Sequence, residues 1–333
     1  MKKLICVVLA MLLMTCMFTG CGASKEITSG PVKTGLAVVS SLKGSKSASA
    51  DAAGAVKYDL TYVAVTVDDN GVIDSCVIDA FGSESNFDTA GVITTDLTAA
   101  LQTKNELGEN YGMVAYGGSK YEWNEQAAAL AEYACGKTVK QLKRGAVDET
   151  GYAKDADLAS TATIYIGGYV DAIEKAVANA AHLGAQKGDT IKLVTAHSKS
   201  GSDASADAEG NVSLSGDMAA ITFTGDVISS AIFDVLSIEV KFDDAGIVST
   251  KPYTAFLTKN ELGEDYGMKA YAGSKYEWYE QAASFASYIC GKTLDEASGI
   301  ALTETTNVAE ADLASSVTIA VGGFMHLIEK AKN

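Results

Sequence analysis

TKNELGENYGM runs from Thr103 to Met113, and TKNELGEDYGM runs from Thr258 to Met268, 155 residues further on, with Asp265 in place of Asn110. A stretch of Gly, Asn and charged residues with no apolar period reads as an ordered loop, not as a helix or strand face. The duplication continues around it without a gap: Phe87-Asp88-Thr89-Ala90-Gly91 matches Phe242 to Gly246, Tyr116 to Trp123 matches Tyr271 to Trp278, and Asp157-Leu158-Ala159-Ser160 matches Asp312 to Ser315. Ala48 to Asp51 aligns with Ala204 to Asp207 at an offset one residue larger. The chain is therefore two copies of a unit of roughly 145 residues, long enough to bury its own core and too long for a solenoid repeat. The copies are placed at residues 36–182 and 190–333.

Within each copy the strand signals come first. Tyr62-Val63-Ala64-Val65-Thr66-Val67 alternates and is β-branched, Asp69-Asn70-Gly71 is a tight-turn signal, and Val72 to Ile78 continues as the return strand. The second copy has Ala220 to Phe223 followed by Gly225-Asp226, a similar turn. Helix signals follow. Ser119-Lys120-Tyr121-Glu122 and Ser274-Lys275-Tyr276-Glu277 have the form of capping boxes. Behind them Trp123, Ala127, Leu130 and Ala134 make an apolar stripe, answered by Trp278, Ala282, Phe285 and Ile289, and Gly136 and Gly291 stand where a left-handed cap is expected. A second helix is predicted near Tyr169 to Ala180 with Ile173 and Val177 inward, and its counterpart starts at Phe324 with Ile328 inward. Strands before helices in each unit predict an α+β fold: two tandem copies of one domain, antiparallel strands first, with two or more helices packed on them.

The chain opens MKKLICVVLAMLLMTCMFTGC, two lysines ahead of an apolar run too short to span a bilayer, which is the layout of a secretory signal over residues 1–20. Phe18-Thr19-Gly20-Cys21 resembles a bacterial lipobox, which implies that Cys21 carries lipid, that residues 21–35 are a tether, and that the protein is anchored on the outer face of the cell membrane. Without residues 1–20 the chain holds 24 basic against 42 acidic residues. That field repels nucleic acid and anionic headgroups, so no nucleic-acid function is expected and the membrane is met through the lipid alone. Cys76, Cys135 and Cys290 follow no zinc or disulfide spacing, and His182, His197 and His326 are scattered. No metal site is expected. No Ser-His-Asp set, Cys-His pair or Walker loop recurs in both copies, so a binding or electron-transfer module is expected and not a turnover enzyme.

The remaining repeated chemistry is Asp157-Leu158-Ala159-Ser160-Thr161-Ala162-Thr163 and Asp312-Leu313-Ala314-Ser315-Ser316-Val317-Thr318, just ahead of the last helix of each copy. The pattern Asp-x-x-Ser-x-x-Thr in a small α+β domain of a bacterial lipoprotein resembles the FMN-binding domain family, which occurs in membrane-linked electron transfer and carries FMN as a phosphoester on the last threonine of Asp-x-x-Ser-Gly-Ala-Thr. The likeness covers these seven residues and the strand-then-helix order. It implies Thr163 and Thr318 as acceptors, with Asp157, Ser160, Asp312 and Ser315 matching the rest of the motif. Thr161 and Ser316 stand where that family has Gly, and Val317 where it has Ala, which argues against covalent attachment and leaves non-covalent FMN or an empty descendant of a flavin domain. Hydroxyls at a helix N-terminus suit a phosphate, Lys104 and Lys259 in the opening loop supply near charge, and Tyr111 and Tyr266, or the two tryptophans, supply a face for the isoalloxazine. Met113 completes the set of loop residues expected to meet a ligand. The plain alternative for the Ser/Thr run is a helix cap, or a strand, since Thr161 to Ile166 also alternates. Two functions follow: an extracellular electron carrier or flavin-holding module with a redox partner, or a non-redox surface lipoprotein binding a small molecule, cell-wall component or protein. A structural surface spacer is a third.

Overall fold

The computed structural model describes residues 30–251 and 256–333. The predicted signal peptide and Cys21 lie outside them. Among the described residues no helix is long and apolar enough to cross a membrane.

The first copy opens with three antiparallel strands in the order β1 (Lys33–Ser41), β2 (Gly54–Val67) and β3 (Ile73–Phe87). The turn between β2 and β3 closes as its sequence requires: the Asp68 carboxylate accepts from the Asn70 and Val72 amides, both at 2.9 Å, and Gly71 takes φ 76°. A side chain there would strain the backbone. The second copy repeats the sheet as β4 (Thr190–Ser202), β5 (Gly210–Thr224) and β6 (Val227–Phe242). The outer strands β1 and β4 carry no hairpin signal of their own and were not specified by the sequence. β1 also begins at Lys33, inside the stretch assigned to the tether.

The helices of the first copy are α1 (Lys104–Leu107), α2 (Trp123–Ala134), α3 (Val139–Ala146), α4 (Ala156–Thr161) and α5 (Gly167–Ala178). The second copy has α6 (Lys259–Leu262), α7 (Met268–Ala272), α8 (Trp278–Ile289), α9 (Leu294–Ser298), α10 (Ala311–Ala314) and α11 (Gly322–Lys330). The fold is α+β, as the order of signals predicted. The apolar stripes of α2 and α5 close one core against Val63, Val65 and Ala80, and those of α8 and α11 close its counterpart against Ala219, Ile221 and Phe233. Ile173 and Ile328 are fully buried in these cores, as expected. Gly136 and Gly291 take the positive φ expected, 77° and 83°, but not as a left-handed helix cap: each follows an extended cysteine in a turn that closes from Lys137 to Ala134 or from Lys292 to Ile289, and its amide donates to the Ile73 or Ile228 carbonyl at 2.8 Å.

A third core lies where two self-contained units would have surface. Val56, Tyr58, Leu60, Tyr62 and Ala64 point away from their own helices and pack against Val212, Leu214, Met218 and Ala220 of the other sheet. The molecule is thus four layers deep: helices, sheet, sheet, helices. The contact is isologous, because equivalent residues meet each other: Phe87 stacks on Phe242 at 4.1 Å with the rings 1° from parallel. Ala48 donates to the Gly246 carbonyl at 2.8 Å and Ala204 to the Gly91 carbonyl at 2.9 Å. Lys175 pairs with Glu261 at 2.6 Å, and Lys330 pairs with Glu106 in the mirrored contact. Burial on both faces explains why Tyr62 to Val67 is nearly continuous in apolar character.

Two local expectations need correction. The serines do not cap α2 and α8: Ser119 and Ser274 each donate to the carbonyl two residues on, and the helices start three residues later, with Glu122 and Glu277 in the capping position. The reason is that the Glu122 carboxylate is already engaged upstream, accepting from the Met113 and Val114 amides at 2.8 and 3.0 Å, while Glu125 reaches back to the Glu122 amide. Residues 161–166 are also not a strand, since Thr161 ends α4 and the rest forms a loop leading to α5.

Candidate functional site

The repeated stretch is not the helix-free loop its composition suggested: Lys104–Leu107 is the short helix α1 and Gly108–Tyr111 a 3-10 turn, repeated as α6 and Gly263–Tyr266, because a local cap and contacts to the sheet supply what an apolar period does not. Thr103 caps α1, its hydroxyl accepting from the Glu106 amide, and the Glu106 carboxylate accepts from the Thr103 amide at 2.8 Å. Asn105 donates its backbone N–H to Asp79 and its Nδ2 to the Ile78 carbonyl, which fastens the loop to β3. Asn260, Asp234 and Phe233 repeat both contacts in the second copy. Burial, partly offset by donated hydrogen bonds from the Thr103 or Thr258 hydroxyl and neighbouring amides, holds the Asp79 and Asp234 carboxyls up at about 6.

Hooked in this way, the loop sets a lysine over two rings. Lys104 Nζ stands 4.9 Å from the centre of Tyr111 and 5.1 Å from that of Trp123, and Lys259 Nζ stands 5.2 and 5.0 Å from Tyr266 and Trp278. Neither ammonium forms a salt bridge with a described residue, so the ring faces are their near partners. In the second copy this group opens into a notch of about 490 Å³ walled by Lys259, Tyr266, Met268, Tyr271, Trp278 and Ile319. Gly267 lies under the Tyr271 ring with φ 82°, where a Cβ would come within 2.4 Å of that ring, and Gly112 lies under Tyr116 in the same way at 2.6 Å. Both rings are held against backbone yet are 92% and 90% exposed for Tyr116 and Tyr271. Such exposure is unusual for an aromatic side chain.

The sequence nominated Lys104, Lys259, Tyr111 and Tyr266 for one site, and the fold brings each pair together. The tryptophans are buried, with Trp123 donating to the Tyr169 hydroxyl at 3.0 Å, so they floor the notch and the tyrosines rim it. Tyr116 and Tyr271 were missed. Their signal was present: a tyrosine kept in both copies between small residues and glycines, where packing asks for no ring.

The hydroxyl motif is distributed differently. Ser160 and Ser315 each donate to the carbonyl of the aspartate three residues before, Asp157 and Asp312 respectively, at 2.7 Å. Thr163 and Thr318 are exposed in the loop ahead of α5 and α11, and their hydroxyls donate to the side-chain carbonyls of Gln126 and Gln281 at 3.1 and 3.0 Å. Each glutamine is completely buried and also accepts the amides of that threonine and of the next residue. Asp312 and Ser316 line a separate open groove beside α8. The loop reaches the notch through Ile319 and Ala320, not through Thr318. Sequence reasoning also missed the glutamines, which sit among alanines and carry no motif.

The copies differ around the notch. Asp217 on β5 faces the start of α11, where a Cβ on Gly323 would come within 2.6 Å of its carboxylate. Burial raises the Asp217 carboxyl, opposed by a Ser215 hydrogen bond and by the charge of Lys259. Strand register puts Thr61 at the corresponding place in the first copy, and Tyr165 stands where the second has Ala320. Comparison with protein-family models, curated proteins and solved structures gives no match to this chain.

Proposed function

We propose that this protein is a lipid-anchored envelope module, held at the outer face of the membrane through Cys21, whose two notches bind a flat, anionic aromatic ligand of the flavin mononucleotide type without a covalent bond. The carrying observation is the pair of equivalent lysines poised over aromatic faces with no carboxylate paired to them. A notch of about 490 Å³ falls within the span of small-molecule sites. An isoalloxazine can lie on Tyr271 or Tyr116, and the neighbouring lysine can meet its phosphate. A bound flavin would supply one- and two-electron chemistry, and the chain's part is to hold the ring, set the local charge and keep one face open to a redox partner. The residues fit such a group held by contacts. They fit the ester poorly, because the hydroxyls of Thr163 and Thr318 already serve Gln126 and Gln281 and those of Ser160 and Ser315 serve their own helix.

That commitment of hydroxyls favours, as a second reading, a non-redox ligand that stacks on the same tyrosines. Titration of the purified chain with riboflavin 5′-phosphate, followed by quenching of flavin fluorescence, separates the two. Saturable quenching that weakens at least about tenfold in the Lys104→Ala, Lys259→Ala double variant supports the flavin reading, tenfold being about 1.4 kcal/mol. Unquenched flavin, together with a colourless natively expressed protein, leaves the second.

A further inference from the structure

A cavity of about 660 Å³, separate from the notch, opens between the halves. Its floor is β6 at Ala231 and Phe233, one wall is α8, and the other is the segment Asn179 to Leu183 that leaves the first copy. We propose that this cavity is a binding site for a small uncharged molecule, a ring or short chain, that carries an N–H or O–H donor.

Three observations select that chemistry. The surfaces are apolar or neutral: Phe233, Ala282, Ala286, Leu183 and Cys290 line it, with no Asp, Glu, Lys or Arg among the described lining residues. Its histidine, His182, is engaged with Asp69 at 2.9 Å. A charged ligand would lose its hydration there without a counter-charge. The second observation is a pair of amide acceptors. Asn260 donates Nδ2 to the Phe233 carbonyl at 2.9 Å and Asn179 donates Nδ2 to the Leu36 carbonyl at 3.1 Å. Because each partner is a carbonyl, the nitrogen of each amide is fixed by its bond. Neither Oδ1 accepts a hydrogen bond from a described residue; Asn179 is exposed and Asn260 half-buried, and both amides line the cavity, where their oxygens meet water until a ligand donor replaces it. Third, the first copy provides an internal comparison. On α2, Glu132 stands where α8 has Ser287, and Asn124 where α8 has Tyr279, so the equivalent surface of the first half carries a carboxylate. The inter-copy segment that forms the outer wall follows the first half and borders the second.

The test uses the whole chain and 5-fluoroindole observed by fluorine NMR. Saturable binding is expected. Ser287→Glu restores the charge found in the first copy, and Ala283→Trp narrows the mouth. Both positions are exposed, so the variants should keep the parental thermal transition while binding at least about tenfold more weakly. 1-Methyl-5-fluoroindole, which lacks the donor, should also bind at least about tenfold more weakly. The proposal is overturned if the parent shows no saturable binding, if the two folded variants bind as the parent does, or if the methylated probe binds equally well. Loss of binding in Lys259→Ala alone would also overturn it, because that result assigns the probe to the notch.

Discussion

Gln126 and Gln281 are amides with no exposure, and each joins three loop donors on one side to Ser119 or Ser274 and a tyrosine carbonyl on the other. Replacing Gln281 by Leu leaves two backbone N–H groups without their acceptor, and a loss of about 2–4 kcal/mol is expected by urea denaturation. Ser315→Ala removes only a hydroxyl bonded to its own helix and should cost under about 1 kcal/mol. The buried carboxyls make a second prediction. Asp79 and Asp234 are raised to about 6 in the folded state, so folding takes up protons, and their ionisation removes stability as pH rises from about 4 through 6. His197 works in the opposite direction. Its ring stacks on Phe81 at 3.8 Å, receives or gives a hydrogen bond to Tyr62 at 2.8 Å, and burial with the charge of Lys330 lowers it to about 4. It removes stability as pH falls from about 6.5 to 4. An Asp79→Asn, Asp234→Asn variant should therefore be more stable than the parent above pH 6, and below that should lose stability steadily toward pH 4. A parent and variant with parallel pH profiles would refute the assignment. None of these roles is marked by composition or spacing; an isolated Gln, Asp or His becomes special only when the fold removes its water.

Among the elements, the hairpins and the long helices were legible because local chemistry fixes them: an Asp-x-Asn-Gly turn, β-branched alternation, an apolar stripe ending at glycine. The starts of α2 and α8 were misplaced by three residues, because Ser119 and Glu122 satisfy the capping pattern while tertiary contacts to Met113 and Val114 decide which residue caps. The short helices α1, α3 and α9 start on local capping boxes, Thr103 with Glu106, Thr138 with Gln141 and Thr293 with Glu296, and α4 starts on Asp155; these signals stood in the sequence and were passed over because the segments are too short to show an apolar period. At this scale the notch of the second half and the matching lysine–tyrosine place of the first should differ. Asp217 lies near Lys259 and opposes an anion, whereas Thr61 occupies the matching strand position in the first half. Asp217→Thr should tighten binding of riboflavin 5′-phosphate in the second notch several-fold, most clearly at low salt, and a fluorescence titration that shows no change would remove Asp217 from the account.

For the molecule as a whole, the duplication was plain in the sequence, but the way the copies meet was not. Tyr62 to Val67 read as an alternating strand, and only the partner sheet reveals that both faces are buried, Val63 and Val65 under the helices and Tyr62 and Ala64 against the other copy. Shared burial makes the halves one cooperative unit. Trp123 and Trp278 report one half each, so Trp278→Phe and Trp123→Phe variants followed by fluorescence should each show the two halves losing structure at one denaturant midpoint, moved together by Phe242→Asp. Equivalent halves also imply two ligand places. Calorimetric titration of the intact chain with riboflavin 5′-phosphate should give two sites, the first-half site the tighter, with Lys104→Ala and Lys259→Ala each removing one. A chain that takes up no riboflavin 5′-phosphate, or takes it up equally after both lysines are gone, would contradict the account.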